Sequence, residues 1–347
     1  MKKMLAILLY ATMAFSLAAC GSSSSSTSSE ATEETAEEET EVAETEEVAE
    51  ETTASYVVGI CQLVQHDALD AATQGFKDAL TEALGDAVTF DEQNAQGDSN
   101  TCSTIINSFV SADVDLILAN ATAALQAAQA GTDTIPVLGT SITDYATALE
   151  IDDFDGTVGR NISGTSDLAP LAEQAAMLAE LFPDAETVGL LYCSAEANSQ
   201  YQVDNVQAEL EALGYTCTQY SFSDSNDIAA VAQSAADASD VIYVPTDNTA
   251  AANTEIIDNI CRPAGVPVIA GEEGICEGCG VATLSISYYD IGYTTGEMAA
   301  QILTGEADIS TIPIEYAPNV TKEYNAVICE DLGITVPDDY VAIATEE

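Results

Sequence analysis

The residues of this chain that could do chemistry gather in short polar stretches, each placed directly after an apolar run. Ser194-Ala195-Glu196-Ala197-Asn198-Ser199 follows Val188-Gly189-Leu190-Leu191-Tyr192-Cys193. Pro245-Thr246-Asp247-Asn248-Thr249 follows Val241-Ile242-Tyr243-Val244, and Gly271-Glu272-Glu273-Gly274 follows Val266-Pro267-Val268-Ile269-Ala270. The first half of the chain offers Gln62 to Leu69, Asn120-Ala121-Thr122 and Thr140-Ser141-Ile142-Thr143-Asp144 in the same way. These stretches carry small hydroxyls, amides and carboxylates, which suit recognition of a charged small molecule. They do not suit acyl transfer, because the chain has no Gly-x-Ser-x-Gly elbow. With His66 as its one histidine, it also has no His-rich metal constellation. The neighbouring carboxylates of Glu272 and Glu273 would point apart in an extended segment, a poor geometry for shared acid–base work. A loop that opens a helix presents backbone N–H groups and a helix dipole to an anion, and carboxylates present charge to an ammonium group. Both kinds of loop facing one cleft would recognise a zwitterion. Capping of helices by Thr, Ser, Asn and Asp is the competing use of the same residues, and alone would account for Thr122 and Thr249.

The elements that must position these loops alternate between two periods. Tyr56 to Ile60 reads as a strand, and Ala68 to Leu84 as a helix ended by Gly85. Strands at Val88 to Phe90, Leu116 to Leu118 and Ile135 to Leu138 are separated by helices over Ser99 to Val110 and Thr122 to Ala130. The second half repeats the scheme. Its strands are Val188 to Leu191, Thr216 to Phe222, Val241 to Val244 and Val266 to Ile269; its helices are Gln202 to Leu213, Asp227 to Ala238 and Ala250 to Cys261. Strands alternating with helices imply βαβ units and parallel sheets. Two such halves imply two similar α/β lobes, and ligands of such sheets sit at the carboxyl ends of the strands.

The amino end has a different character. Met1-Lys2-Lys3 is a positive n-region, and Leu5 to Leu17 an apolar stretch too short for a comfortable membrane span. Leu17-Ala18-Ala19-Cys20-Gly21 resembles the bacterial lipoprotein signal, in which cleavage before the cysteine leaves a lipid on Cys20. Residues 1–20 are thus expected to be a signal, with the mature chain anchored through Cys20 on the extracytoplasmic face of the cell membrane. Residues 21–54 read as a disordered tether: Gly21 to Ser29 is nearly all Ser and Thr, and Glu30 to Glu51 holds 12 Glu with no Lys or Arg. The whole chain carries 59 acidic against 6 basic residues. Beyond the leader the basic ones are Lys77, Arg160, Arg262 and Lys322. A surface this acidic repels phosphate backbones, so nucleic acid is not an expected partner.

Seven motifs keep their order and spacing from about Tyr56 to Pro337. They are Gln62-Leu63-Val64-Gln65-His66-Asp67-Ala68-Leu69-Asp70, Gln93-Asn94-Ala95-Gln96-Gly97-Asp98, Gly164-Thr165-Ser166-Asp167, Ala195-Glu196-Ala197-Asn198-Ser199, Val244-Pro245-Thr246-Asp247-Asn248-Thr249, Glu272-Glu273-Gly274 and Tyr288-Tyr289-Asp290-Ile291-Gly292. On these the chain resembles type I periplasmic-binding-fold receptors, and more narrowly the substrate-binding lipoproteins of ABC importers that include tryptophan- and tyrosine-binding proteins. It departs from that pattern in its cysteine count, at Asp67 where the family often has Pro, and at Val64 where an aromatic can stand. The resemblance implies two Rossmann-like lobes joined by a three-segment hinge. The crossings are placed near Ser163–Ser166, Ser285–Ser287 and Thr311–Ile314, so lobe one takes residues 55–164 plus 287–312. Lobe two takes residues 165–286 plus 313–347, including a helix over Lys322 to Leu332. It implies a monomeric receptor with no cofactor or metal that closes on a small-molecule ligand, an amino acid and possibly an aromatic one, and hands it to a membrane permease. A sensory receptor of the same fold, or a receptor for a sugar or nucleoside, stays open as an alternative.

The expected ligand contacts follow. Ala121, Thr122, Thr140 and Ser141 would hold a carboxylate from lobe one. Asn198, Thr246, Asp247 and Asn248 would close from lobe two, with Asp247 the leading ammonium partner and Glu272 or Glu273 its competitor. Gln62 and His66 would line the mouth. Tyr192 and Tyr288 are candidates to stack on an aromatic ligand, although core packing is the commoner role for each. Eight cysteines remain beyond Cys20. Cys61 with Cys102, and Cys193 with Cys217, are candidate disulfides, against the alternative of free buried thiols.

Overall fold

The computed structural model describes residues 55–344. The signal, the Cys20 lipidation site and the tether expected over 1–54 lie outside the described residues. The first strands and helices are β1 (Tyr56–Gln62), α1 (Asp67–Leu84), β2 (Val88–Asn94), α2 (Ser99–Ala112), β3 (Leu116–Asn120), α3 (Thr122–Gly131), β4 (Val137–Ile142), α4 (Tyr145–Leu149) and β5 (Ile162–Ser166). Then come α5 (Leu171–Leu181), β6 (Thr187–Cys193), α6 (Ala197–Leu213), β7 (Thr216–Phe222), α7 (Ile228–Ala236), β8 (Val241–Val244), α8 (Asn248–Ala251), α9 (Thr254–Ala264), β9 (Val268–Ala270), α10 (Glu273–Cys279) and β10 (Ala282–Ser285). The chain ends with α11 (Tyr288–Leu303), β11 (Glu315–Tyr316), β12 (Thr321–Tyr324), α12 (Ala326–Leu332) and β13 (Val341–Ala342).

These strands form two sheets, one per lobe. The first has the order β11-β5-β4-β3-β1-β2 and the second β13-β12-β10-β9-β8-β6-β7. All pairings are parallel except β10 with β12. The central strands are apolar on both faces, as parallel sheets covered by helices require: every residue of β3 and of β8 is buried. In each sheet the strand order reverses beside the first strand, β1 lying between β2 and β3 and β6 between β7 and β8. Crevices for ligands open at such switch points.

The chain crosses between sheets after Ser166, after Ser285 and after Tyr316. The first and third crossings fall later than the sequence reading placed them, because Thr165 and Ser166 still pair in the first sheet with Glu315 and Tyr316. Residues 165–166 and 315–316 therefore belong to lobe one. The segment read as one helix from Lys322 splits: Thr321–Tyr324 pairs antiparallel with β10, and the helix begins only at Ala326, capped by the Asn325 side chain on Val327 and Ile328 N–H. Among the described residues no helix is long and apolar enough to cross a membrane.

After the second crossing α11 returns to lobe one and packs along α1. Small residues make this approach close. An added Cβ at Gly75 would stand 2.2 Å from the Tyr289 carbonyl oxygen, and one at Gly292 2.0 Å from that of Ala72. The eight cysteines of the described residues are all free. A Cys193–Cys217 bridge is excluded by register: Cys217 sits beside Val188 at one end of β6, Cys193 beside Phe222 at the other.

Candidate ligand cleft

In lobe one the carboxyl ends of β3 and β4 each carry a non-glycine residue at positive φ. Ala121, which precedes α3, has φ 88° and Ser141, near the end of β4, has φ 56°. Non-glycine residues held in such conformations cost free energy and tend to cluster at ligand sites. The Ala121 N–H is fixed on the Thr140 carbonyl at 3.1 Å. No side chain caps α3, in contrast to α2, α4, α8, α10 and α11, where Asp98, Asp144, Asp247, Glu272 and Ser287 do so. Thr122 is the buried first residue of that open helix end. Beside it, the Ser141 hydroxyl is buried without a hydrogen-bond partner.

Two expected lobe-one contacts are used elsewhere. The Thr140 hydroxyl pairs with Thr165, which continues to Thr295 at 2.8 Å in the core behind the sheet. Gln62 donates to Val64 O and Asp70 and accepts from Thr73, tying β1 to α1. Sequence reasoning singled out both for their position after a strand, which does not reveal the direction a side chain takes.

Lobe two answers with a dense network. Glu196 accepts from Asn248 N and Nδ2, from Thr249 N and Oγ1, and from Asn198 Nδ2. Asn198 and Gln202 also donate to the Thr246 carbonyl. Each Asp247 oxygen accepts from the backbone: Cys193 N–H donates to one at 2.6 Å and Ala250 N–H to the other at 2.8 Å. Burial first, and the Glu196 charge second, raise its pKa. The structure separates the adjacent glutamates. Glu272 is buried and accepts from Gly274 and Ile275 N–H, so it caps its own helix, whereas Glu273 is exposed.

The lobes meet at His66 Nε2 and Asn248 Oδ1, 3.2 Å apart, with Glu196 holding the Asn248 amide from behind. Burial lowers the His66 pKa, against the pull of Asn248, Glu196, Asp70 and Asp67. A cavity of about 330 Å³ lies between the lobes, with Leu63, Gln96 and Ala123 on one wall and Glu196, Asn248 and Thr249 on the other. On the hinge side, a second of about 340 Å³ is lined by Asp67, Glu272, Ser285 and Tyr288 among others. At the first crossing Asp167, which the site reading left out, accepts from Thr143 Oγ1 at 2.9 Å and Tyr288 OH at 3.0 Å. It thus links the first and second crossings. Its signal in the sequence is its place in Gly164-Thr165-Ser166-Asp167. Tyr192 packs in the core of lobe two with its hydroxyl on Gln200 and Gln219, away from the cleft.

Burial pushes Asp167 up to about 6, and Glu272 and Glu323 each to about 7, the last with help from Glu273. Their usual values are 3.8 for Asp and 4.5 for Glu. The folded chain therefore holds protons that the unfolded chain has released. This stabilisation is complete below the unfolded values and is lost as pH rises through about 6 to 7. The melting temperature is expected to be higher at about pH 5.5 than at about pH 8. A thermal-unfolding series across that range checks it, and a flat or rising profile toward pH 8 contradicts it.

Two α/β lobes joined by three crossings, with polar loops converging at the strand ends, define a type I periplasmic binding protein. Residues 57–347 match the family model for ABC transporter substrate binding proteins, and the chain belongs to that family. It is 34% identical over 277 residues to the tyrosine-binding protein of Clostridioides difficile (strain R20291), covering 79% of each chain. It is also similar to an ABC domain from Streptococcus pneumoniae solved in complex with L-Trp: identity is 31%, coverage 82% of this chain and 97% of that one, and the TM-score 0.78. A ligand-free, open substrate-binding protein with adhesive properties from Clostridium difficile is 34% identical, with 84% and 100% of the chains covered, and its TM-score is 0.64. The TM-score is thus higher to the complexed structure than to the open one.

Proposed function

We propose that the chain captures an aromatic amino acid between its lobes and presents it to the permease of an ABC importer, held at the extracytoplasmic membrane face by a lipid on Cys20. The observation that carries the ligand class is the uncapped amino end of α3, flanked by Ala121 and Ser141 at positive φ and by the unpartnered Ser141 hydroxyl. Free backbone N–H groups at the start of a helix and a neighbouring unpartnered hydroxyl suit a carboxylate. The ammonium group falls to the buried carboxylate of Asp167, which accepts from the Tyr288 phenol; burial first, and the Asp167 charge second, raise that phenol's pKa. Asp247 and Glu272 act as caps rather than as rivals of Asp167, because both oxygens of each are taken by backbone donors. The relatives' ligands, tyrosine and tryptophan, support the aromatic class. The chain works by binding, as a monomer, without catalysis.

The test is a thermal-shift screen of the full chain against amino acids, nucleosides and sugars. A ligand at about 100 times its Kd adds about 2.7 kcal/mol of stability. A shift with tyrosine, tryptophan or phenylalanine supports the reading, whereas a shift confined to a sugar or nucleoside overturns the zwitterion site. Ser141→Ala checks the carboxylate contact. Its hydroxyl has no protein partner, so stability is expected to stay within about 0.5 kcal/mol of the parent. Affinity for the amino acid is expected to fall about tenfold, the worth of one hydrogen bond to a charged group. Unchanged affinity by calorimetry removes Ser141 from the site.

A further inference from the structure

We propose that Cys61 and Cys102 form a reversible disulfide that clamps the start of α2 to β1 beside the cleft. Cys61 is the penultimate residue of β1 and Cys102 lies in the first turns of α2. Both are 0% exposed and share one core cluster with Leu63 and Ala95. Each thiol is the largest influence on the other's ionisation, which places the two side by side. Other buried thiols turn to carbonyl oxygens instead: Cys193 to Ser223, Cys279 to Ile275 and Cys329 to Val281. Cys61 and Cys102 are thus a facing pair rather than two separate core residues.

That contact also sorts their roles. It lowers the Cys102 pKa and, with burial, raises that of Cys61, so Cys102 is the more readily ionised of the two. Reaction with a small-molecule disulfide then runs by exchange. The Cys102 thiolate attacks the oxidant, forms a mixed disulfide and releases one thiol. Cys61 loses its proton, attacks the Cys102 sulfur and releases the second thiol. Two protein thiols are oxidised and one small disulfide is reduced to two thiols. Entry requires the first turn of α2 to loosen, and that turn is held by the Asp98 cap on Thr101 N–H. The bond would enclose the segment Gln62 to Thr101, including the Gln96–Ser99 loop that lines the inter-lobe cavity. It would fix that wall of the cleft without replacing any proposed ligand contact.

The test exposes the reduced full chain to oxidised glutathione, alkylates the remaining thiols after denaturation, digests without reductant and maps the peptides by mass. The expected product joins the Cys61 and Cys102 peptides with the loss of two hydrogen atoms. The melting temperature of the oxidised protein is expected to rise by roughly 5–10 °C, the scale for closing a loop of this length, and to return with dithiothreitol. In Cys61→Ser/Cys102→Ser this redox-dependent shift disappears. Cys61 and Cys102 recovered as alkylated thiols, as glutathione adducts, or joined to other cysteines overturn the proposal. The map is made on the parent chain, so it decides even where the double variant folds poorly.

Discussion

Asp247→Ala is expected to cost about 3 kcal/mol of folding stability. One carboxylate oxygen accepts from Cys193 N–H at the end of β6, the other from Ala250 N–H in the first turn of α8. Both donors are buried, and neither gains a substitute partner when the side chain is cut back. Each orphaned buried donor costs on the order of 1–3 kcal/mol, and loss of a helix cap about 1 kcal/mol. Relief from burying a charge whose pKa is already raised offsets part of the sum. Asp247→Asn keeps an acceptor for one N–H and should recover about half the loss. Urea unfolding of the three proteins is the measurement. A variant as stable as the parent that no longer binds an amino acid would reverse the assignment and restore Asp247 as the ammonium partner.

Gly292→Ala should be comparably damaging, at about 3 kcal/mol. The new methyl would stand 2.0 Å from the Ala72 carbonyl oxygen and 2.7 Å from its carbon, both backbone atoms in the middle of α1. No rotamer relieves such a clash, so α1 and α11 must move apart. That movement reaches the site, because Tyr288 at the head of α11 donates to Asp167 and the turn before α1 carries His66. Gly305→Ala is the control. Its φ of 76° strains an alanine, but nothing lies within 4 Å of the added Cβ, so about 1 kcal/mol is expected. Equal unfolding midpoints for the two variants would show that α1 and α11 do not need this approach.

The alternation of strands and helices was legible because the apolar runs differ so plainly in period. β3 and β8 are short and wholly buried, and α1 repeats Leu69, Ala72, Phe76, Ala79 and Leu80 on one face. The third crossing was misplaced because β11 is a short exposed pair, Glu315 and Tyr316, with no apolar signal to mark it. The helix over Lys322 to Leu332 was overextended for a related reason: Thr321–Tyr324 is a strand by virtue of its pairing with β10, a fact of tertiary structure. At the site, the loops were found but the roles inside them were not. A carboxylate after a strand can serve a ligand or a helix. Asp247 and Glu272 show the second use, and only the partners of each oxygen tell them apart. The positive φ at Ala121 and Ser141 had no sequence signal, since glycine stands at neither position.

The most direct measurement is isothermal titration of the ligand-free full chain with L-tyrosine and L-tryptophan, with glucose as a comparison. The account predicts a one-to-one isotherm for at least one of the two amino acids, a negative heat-capacity change as the apolar side chain is buried, and no heat from glucose. An isotherm with glucose and none with either amino acid would contradict it, leaving the fold and the family in place but not the site built around Ala121, Ser141 and the open end of α3.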